Sequence, residues 1–455
     1  MAPTTTTTGE LVELTVGPVA HGGHCVARTD GRVVFVRHTL PGERVLARIT
    51  ETGDDPDTAR FWRADAVEVL EPSPDRVPSA WPAAGPGGVG GGELAHVSLD
   101  GQHRWKAGVL AEQLERLGRL PADELPGGPV RVEAAPGDTE QAGLHWRTRI
   151  ELVAGPDGRA GMHRYRTHDV VALDPAAPGG PMPLATQDVL ALADAEGVFT
   201  RRWEPGTRLE LVAPAADRRP GASPAPPLLL ADGLTWSGGR ADRRPNARRT
   251  VTETVTVGER TWTHRLAADG FWQVHREAPA VLVGAVLDAL TAAGGLGGAT
   301  VLDLYAGAGL FTLPLSDAVD AAGGAGRVVS VEGSPRAVKD ARRALHDRPH
   351  VELHAGPVDH VLAALRAAAG SSGGLAHADA VVLDPPRVGA GRVVVDQVAH
   401  LAPHAVVYVA CDPAALARDV ALFAGHGYDL SALRAFDLFP MTHHLEAVAT
   451  LTRRG

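Results

Sequence analysis

The chain has 455 residues, more than one typical core holds, so two or three domains are expected. Apolar residues make up 44 % and charged residues 22 %, and no apolar run reaches the length of a membrane span, which leaves no membrane-crossing helix to expect. Two cysteines exclude a disulfide framework and point to the cytosol, and a formal net charge of −10 excludes a uniformly basic nucleic-acid binder while leaving room for a local basic face. Lysine stands only at Lys106 and Lys339, so arginine carries nearly all the positive charge. Coding bias explains this most simply, although arginine can also grip phosphate through two hydrogen bonds.

Met1 to Glu10 is Thr-rich and has no basic segment followed by an apolar one, so it is not read as a secretory signal. From Glu10 to about Leu70 the pattern is one of short strands. Leu11 to Val16 alternates and ends at Gly17-Pro18, Gly22-Gly23 makes a turn, Arg32 to Val36 is a second run, Arg44 to Thr50 a third, and Ala64 to Leu70 closes the set. About five strands separated by turn residues predict a small barrel over 1–72. Glu71 to Gly92 is rich in Pro and Gly and is read as a linker or loop. Trp105 to Leu120 places Val109, Leu110, Leu114 and Leu117 at helical spacing. The rest of 73–264 is read as one irregular α+β subdomain, with strands such as Arg149 to Val153 and Val251 to Val257 among Pro/Ala/Gly stretches.

After His264 helical stretches alternate with strands that are apolar throughout: Val301 to Leu304, Val328 to Val331, Ala380 to Leu383 and Ala405 to Val409. Strands without polar alternation are buried on both faces, and helices between them predict a Rossmann-like parallel α/β sheet over 265–455. The first of these strands runs into Asp303-Leu304-Tyr305-Ala306-Gly307-Ala308-Gly309, and the next ends at Glu332. Glycines at 307 and 309 allow close backbone approach, and an acid at 332 can bond ribose hydroxyls. The loop lacks the full dinucleotide fingerprint and the Lys-Ser/Thr of a phosphate loop. A nucleoside with a small cationic group fits better, and S-adenosylmethionine is the expected cofactor, with a dehydrogenase as the alternative reading of these residues.

The third strand ends in Asp384-Pro385-Pro386-Arg387, the fourth in Ala410-Cys411-Asp412-Pro413. Cys411 thus stands at a strand's carboxyl end in a loop, where a thiolate can act as a nucleophile. Cys25 falls among the barrel strands and is read as a small apolar residue. Glu446, before the last strand, is either a general base or a solvated carboxylate, and spacing alone favours the latter.

Taken together these motifs resemble the RNA 5-methyluridine (uracil-C5) methyltransferase family, over nearly the whole chain. The N-terminal barrel resembles a TRAM domain, an RNA-binding module. Phe271-Trp272-Gln273-Val274 resembles the family's Phe-x-Gln motif. The Asp303–Phe311 loop, Val331 to Ser334, Asp384 to Arg387, Cys411 to Pro413 with Leu416 to Asp419, and Phe439-Pro440 to Glu446 follow in the family's order. The resemblance implies that Gln273, Tyr305, Glu332 and Asp384, with Gly307 and Gly309, contact the cofactor, that Cys411 is the nucleophile and that Glu446 is the base. It implies ribosomal or transfer RNA as partner, in a cytoplasmic, monomeric protein. Two rivals stand beside it: an RNA cytosine-C5 methyltransferase, and a catalytically silent RNA-binding protein of the same fold. Three departures stand out. Asn is usual where Asp412 stands and where His275 stands. Many relatives carry an iron–sulfur cluster on cysteines after the barrel, whereas Trp81 to His96 here contains none, so no four-thiolate cluster is expected.

Overall fold

The structure is a computed structural model and describes residues 8–29, 31–53, 60–215, 219, 221, 225–320, 326–371 and 373–454. Of the Thr-rich tail, residues 1–7 lie outside these. Strands Leu11–Ala20, His24–Thr29, Arg32–Arg37, Arg44–Glu51 and Phe61–Glu71 form a closed barrel. Period-two alternation drives it: Leu14 and Val16 of the first strand point inward with Val34, Val36, Val45, Ala47, Trp62 and Cys25. Closure leaves no free strand edge. Cys25 is fully buried there, as an apolar residue would be.

The Pro/Gly stretch after the barrel is a packed loop. Trp81 is buried at its middle, and a Cβ at Gly92 would stand 2.6 Å from Ala84 and 2.8 Å from Trp81. The helix then begins at Leu99, where Ser98 accepts a hydrogen bond from the Gly101 N–H as its cap, and it ends at Arg116. The expected start at Trp105 falls too late because Leu99 to Arg104 is largely polar and carries no apolar periodicity.

The span expected as one central subdomain is divided in three. Strands from Arg149–Ala154 to Arg240–Ala241 build a seven-stranded antiparallel sheet. Thr250–Val257 and Arg260–Ala267 form a separate hairpin that packs on helices Ala278–Ala292 and Pro335–Ala344, with the Ala267 N–H donating to Asp340. Val132–Ala134 joins the C-terminal sheet. The expected boundary at 264/265 therefore falls inside a strand. Hairpin and short edge strand are local patterns whose partners are fixed only by long-range packing.

The C-terminal sheet has eight strands in the order Val351–Ala355, Arg327–Glu332, Thr300–Leu304, Ala380–Leu383, Ala405–Ala410, Glu446–Arg453, Tyr428–Asp437 and Val132–Ala134. The first five are mutually parallel; Glu446–Arg453 runs antiparallel to both its neighbours. Successive residues serve opposite layers. Val301, Val328, Ala380, Val382, Val407 and Val409 pack on one face, and Leu302, Leu304, Val329, Val331, Leu383 and Val406 on the other. Each of these valines and leucines contributes roughly 1.5–3 kcal/mol on burial.

Candidate active site

The reversed last strand decides what meets at the sheet's edge. Asp303 and Glu332 lie at the carboxyl ends of their strands, and Asp384 and Cys411 directly follow theirs. Glu446 opens the antiparallel strand, so its amino end reaches the same edge; Ala447 pairs with Ala410, which puts Glu446 beside Cys411. Read along the sheet, the order is Glu332, Asp303, Asp384, Cys411, Glu446. Three acids occupy one half of the edge and a thiol–carboxyl pair the other.

The glycine loop is shaped by three left-handed residues. Tyr305 has φ 63°, rare for a side chain of its size, and Gly307 and Gly309 have φ 54° and 86°. A Cβ built on Gly307 meets no atom within 4 Å, so the loop is uncovered on that side. The Gly307 N–H donates to Glu332 Oε2 at 2.9 Å and the Ser334 N–H to Glu332 Oε1 at 2.6 Å, which fixes the carboxylate. Asp303 is fully buried. Thr312 Oγ1 donates to its Oδ2 at 2.5 Å, and its Oδ1 has no partner among the described residues. Gln273 is nearly buried, while Phe271, two residues earlier, is 79 % exposed.

These acids strain against one another. Burial, then Glu332, pushes the Asp303 carboxyl up to about 7 despite the Thr312 hydrogen bond. Burial, then Asp303 and Glu332, brings Asp384 to about 7 as well. Burial, then Glu446 and Asp384, pushes the Cys411 thiol up to about 12, with Arg387 opposing. Burial, then Asp384, raises Glu446 well above the carboxylate range, again against Arg387. Glu446 Oε2 is buried without a hydrogen-bond partner among the described residues. Crowded carboxyls and a buried, unpaired Asp303 oxygen suit a ligand that brings positive charge.

Several supporting groups hold these loops in place, and of them Lys106 and Gln102 carried no sequence signal of that role. Asp419 accepts from the Tyr408 hydroxyl and from the Ala390 N–H, both at 2.7 Å, and so anchors the loop after Arg387. Lys106, fully buried, donates to Asp437 Oδ1 at 2.5 Å and to the Phe439 carbonyl at 3.0 Å; Gln102 accepts from the Met441 N–H at 2.7 Å. Helix Leu99–Arg116 thereby holds the segment leading to Glu446. His275 accepts the Glu277 N–H on Nδ1, which leaves Nε2–H for Asp138 at 2.9 Å, and it stacks on Trp146 at 5.5 Å. It is a buried framework residue. Asp412 caps helix Pro413–Gly425 by accepting from the Ala415 N–H at 2.8 Å.

The arginines Arg147, Arg149, Arg164 and Arg166 divide between core and surface. Arg149 is buried, paired with Glu253 at 2.9 Å and donating to the Ala268 carbonyl, and Arg147 donates to the Arg149 carbonyl. Arg164 and Arg166 are exposed beside the barrel, where Arg37 and Arg166 lie 3.6 and 5.5 Å from the Tyr165 ring. Phe35, Phe61 and Arg63 continue this surface, with Phe35 and Phe61 5.4 Å apart and Arg63 5.2 Å from the Phe61 ring. Farther along the chain, Arg244 is bound by Asp242 and Arg248 by the Pro226 carbonyl at 3.0 Å.

Among the described residues no group of three or more His, Cys, Asp or Glu side chains is placed to hold a metal, and no helix is long and apolar enough to cross a membrane. A family model described as TRAM domain matches residues 5–56, and one described as tRNA (Uracil-5-)-methyltransferase matches 374–454. An uncharacterized RNA methyltransferase of Bifidobacterium longum is 43 % identical over 451 residues, 97 % of this chain and 96 % of its own. One from Streptomyces coelicolor is 42 % identical over 97 % of this chain and 93 % of its own. The crystal structure of the Pyrococcus abyssi tRNA (uracil-54, C5)-methyltransferase in complex with S-adenosyl-L-homocysteine superposes with a TM-score of 0.61 at 18 % identity, covering 96 % of this chain and 99 % of the other; this likeness is one of fold.

Proposed function

The chain belongs to the RNA (uracil-5-)-methyltransferase family, S-adenosylmethionine-dependent enzymes here preceded by a TRAM domain, and from that premise we propose that it methylates C5 of a uridine in transfer or ribosomal RNA through a covalent Cys411 adduct. The observation that carries the reading is the order of groups along the sheet edge, with the acids Glu332, Asp303 and Asp384 on one side and Cys411 next to Glu446 on the other.

Gln273, Tyr305, Gly307, Gly309, Glu332 and Asp384 would hold the cofactor. When bound, S-adenosylmethionine supplies an electrophilic methyl group. Uracil C5 is too weak a nucleophile to take it unaided. Cys411 Sγ, as thiolate, bonds to C6, and the C5–C6 π electrons move to O4, leaving an enolate whose C5 can be methylated. Glu446 then removes the C5 proton; the C5–C6 double bond re-forms and Sγ leaves as thiolate. A raised Glu446 pKa suits a base working near neutral pH. The uridine must be turned out of any stack to reach the edge.

Purified transfer and ribosomal RNA fractions, incubated with the enzyme and methyl-labelled S-adenosylmethionine and digested to nucleosides, test the reading. Labelled 5-methyluridine from one fraction names the RNA. Labelled 5-methylcytidine, or no label, rejects the proposal.

Glu332→Ala removes a carboxylate fixed by two backbone N–H groups. It should weaken S-adenosylmethionine binding by roughly 1.5–3 kcal/mol, the worth of a charged hydrogen bond to a buried ligand. Calorimetry giving an unchanged Kd would remove Glu332 from the cofactor site. Arg164→Ala/Arg166→Ala should raise KM for RNA more than it lowers kcat. It should also flatten the salt dependence of binding, because an arginine that no longer neutralises its phosphate lowers the slope by roughly 0.9 for a duplex and roughly 0.7 for a single strand. An unchanged slope would move the RNA path elsewhere.

A further inference from the structure

Between strands Leu11–Ala20 and His24–Thr29 the barrel turns through His21, Gly22 and Gly23, and this turn meets the catalytic edge at two points. His21 Nε2 lies 3.1 Å from Asp412 Oδ2, on the residue after Cys411. Gly23, at φ +78°, lies against His443, whose Nδ1 would stand 3.1 Å from a Cβ there. His443 is on the segment that leads to Glu446. One turn of the N-terminal barrel thus touches both the loop of the thiol and the loop of the base.

Asp412 divides its oxygens between two tasks. Oδ1 caps helix Pro413–Gly425, a task an uncharged side chain performs equally well. Oδ2 faces His21, whose side chain is 39 % exposed against 20 % for Asp412. Burial alone would push the Asp412 carboxyl up, but the His21 contact and the Ala415 N–H hold it below the ordinary range, so Asp412 is an anion adjoining Cys411.

We propose that His21 is a positioning residue of the methyl-transfer site, bonded to the Asp412 carboxylate so that the docked barrel sets the reactivity of Cys411. The groups around the thiol give the reason. Glu446 faces it from the antiparallel strand, Asp384 from the loop after the adjacent strand and Asp412 from its own loop, while Arg387 acts in the opposite sense. Ionising the thiol adds a negative charge to an acidic surround. A cation or a hydrogen-bond donor on Asp412 removes part of that penalty. His21 comes from the RNA-binding module, so a barrel out of place leaves the thiol less reactive. The consequence for catalysis rests on Cys411 being the nucleophile; the electrostatic pairing does not, and the two are tested apart.

The test is the rate at which iodoacetamide alkylates Cys411 in the full chain, followed by mass spectrometry from neutral to alkaline pH. Cys25, fully buried, serves as the internal report of unfolding. His21→Ala should slow Cys411 alkylation at neutral pH by roughly three- to tenfold, the effect of one uncompensated charge at partly solvated range. His21→Ala/Asp412→Asn should restore the wild-type rate, since Asn keeps the cap and carries no charge. An unchanged rate in His21→Ala, or a double variant as slow as the single one, overturns the proposal; the latter would mean that the turn acts through packing alone. If His21→Ala exposes Cys25, Asp412→Asn alone decides: alkylation as fast as wild type or faster supports the pairing, slower alkylation overturns it. Methyl transfer by Cys411→Ala would sink the nucleophile assignment and leave this result standing.

Discussion

Cys411→Ala is expected to abolish methyl transfer while leaving S-adenosylmethionine affinity unchanged. The thiol lies on the far side of Asp384 from the glycine loop in the sheet order, so its loss should not disturb the acids assigned to the cofactor. The rate should fall on the order of a thousandfold or more, the scale reached when a covalent nucleophile is removed. RNA carrying 5-fluorouridine sharpens the result. Fluorine cannot leave as a proton does, so the wild type should be trapped in an adduct that survives denaturing electrophoresis, and Cys411→Ala should form none. The thiol's own behaviour supplies a second check. Burial with Glu446 and Asp384 holds it at about 12 in the free enzyme. Alkylation should therefore be slow at neutral pH and rise steadily into the alkaline range, because only the thiolate reacts. Methylation retained by Cys411→Ala would refute the covalent mechanism.

What the chain spells out and what it hides follow a physical division. The barrel and the parallel strands were legible because their signals are local. Leu11 to Val16 alternates with period two, and Val301 to Leu304 or Ala405 to Val409 are apolar throughout because helices cover both faces. Glycine at 307 and 309, acids at strand ends and a cysteine before Asp-Pro were legible for the same reason, since each is a residue type at a turn. Glu446 was not, on spacing alone. Its place beside Cys411 depends on the last strand running backwards, a fact of topology that no local pattern carries. Arg149 opens a strand that was legible, yet its burial against Glu253 and the Ala268 carbonyl depends on partners far along the chain. Lys106, His275 and His21 act on partners 331, 137 and 391 residues away, a reach beyond any sequence window.

Glu446→Gln should produce the opposite adduct phenotype from Cys411→Ala. Glutamine keeps the shape of the side chain but cannot accept the C5 proton. Attack at C6 and methylation at C5 precede that proton transfer, so both should proceed, and the enzyme should stop with Sγ still bonded to C6. Turnover should fall by roughly 10²–10⁴-fold, the range for losing a general base, while a protein–RNA adduct builds up with natural RNA. The environment of Glu446 predicts the pH dependence in the wild type. Burial and Asp384 raise its carboxyl well above the ordinary value, so the fraction able to act as base grows as pH rises through that elevated pKa. Release of methylated RNA should therefore accelerate with pH on the acid side of the profile. This limb should vanish in Glu446→Gln, whose residual rate depends on water or hydroxide. Single-turnover quenching into denaturant separates adduct from product and measures both. If Glu446→Gln accumulates no adduct yet turns over slowly, its carboxyl is needed before the Sγ–C6 bond forms. The proton at C5 then leaves by another route, with Glu446 assisting attack by Cys411 at its side.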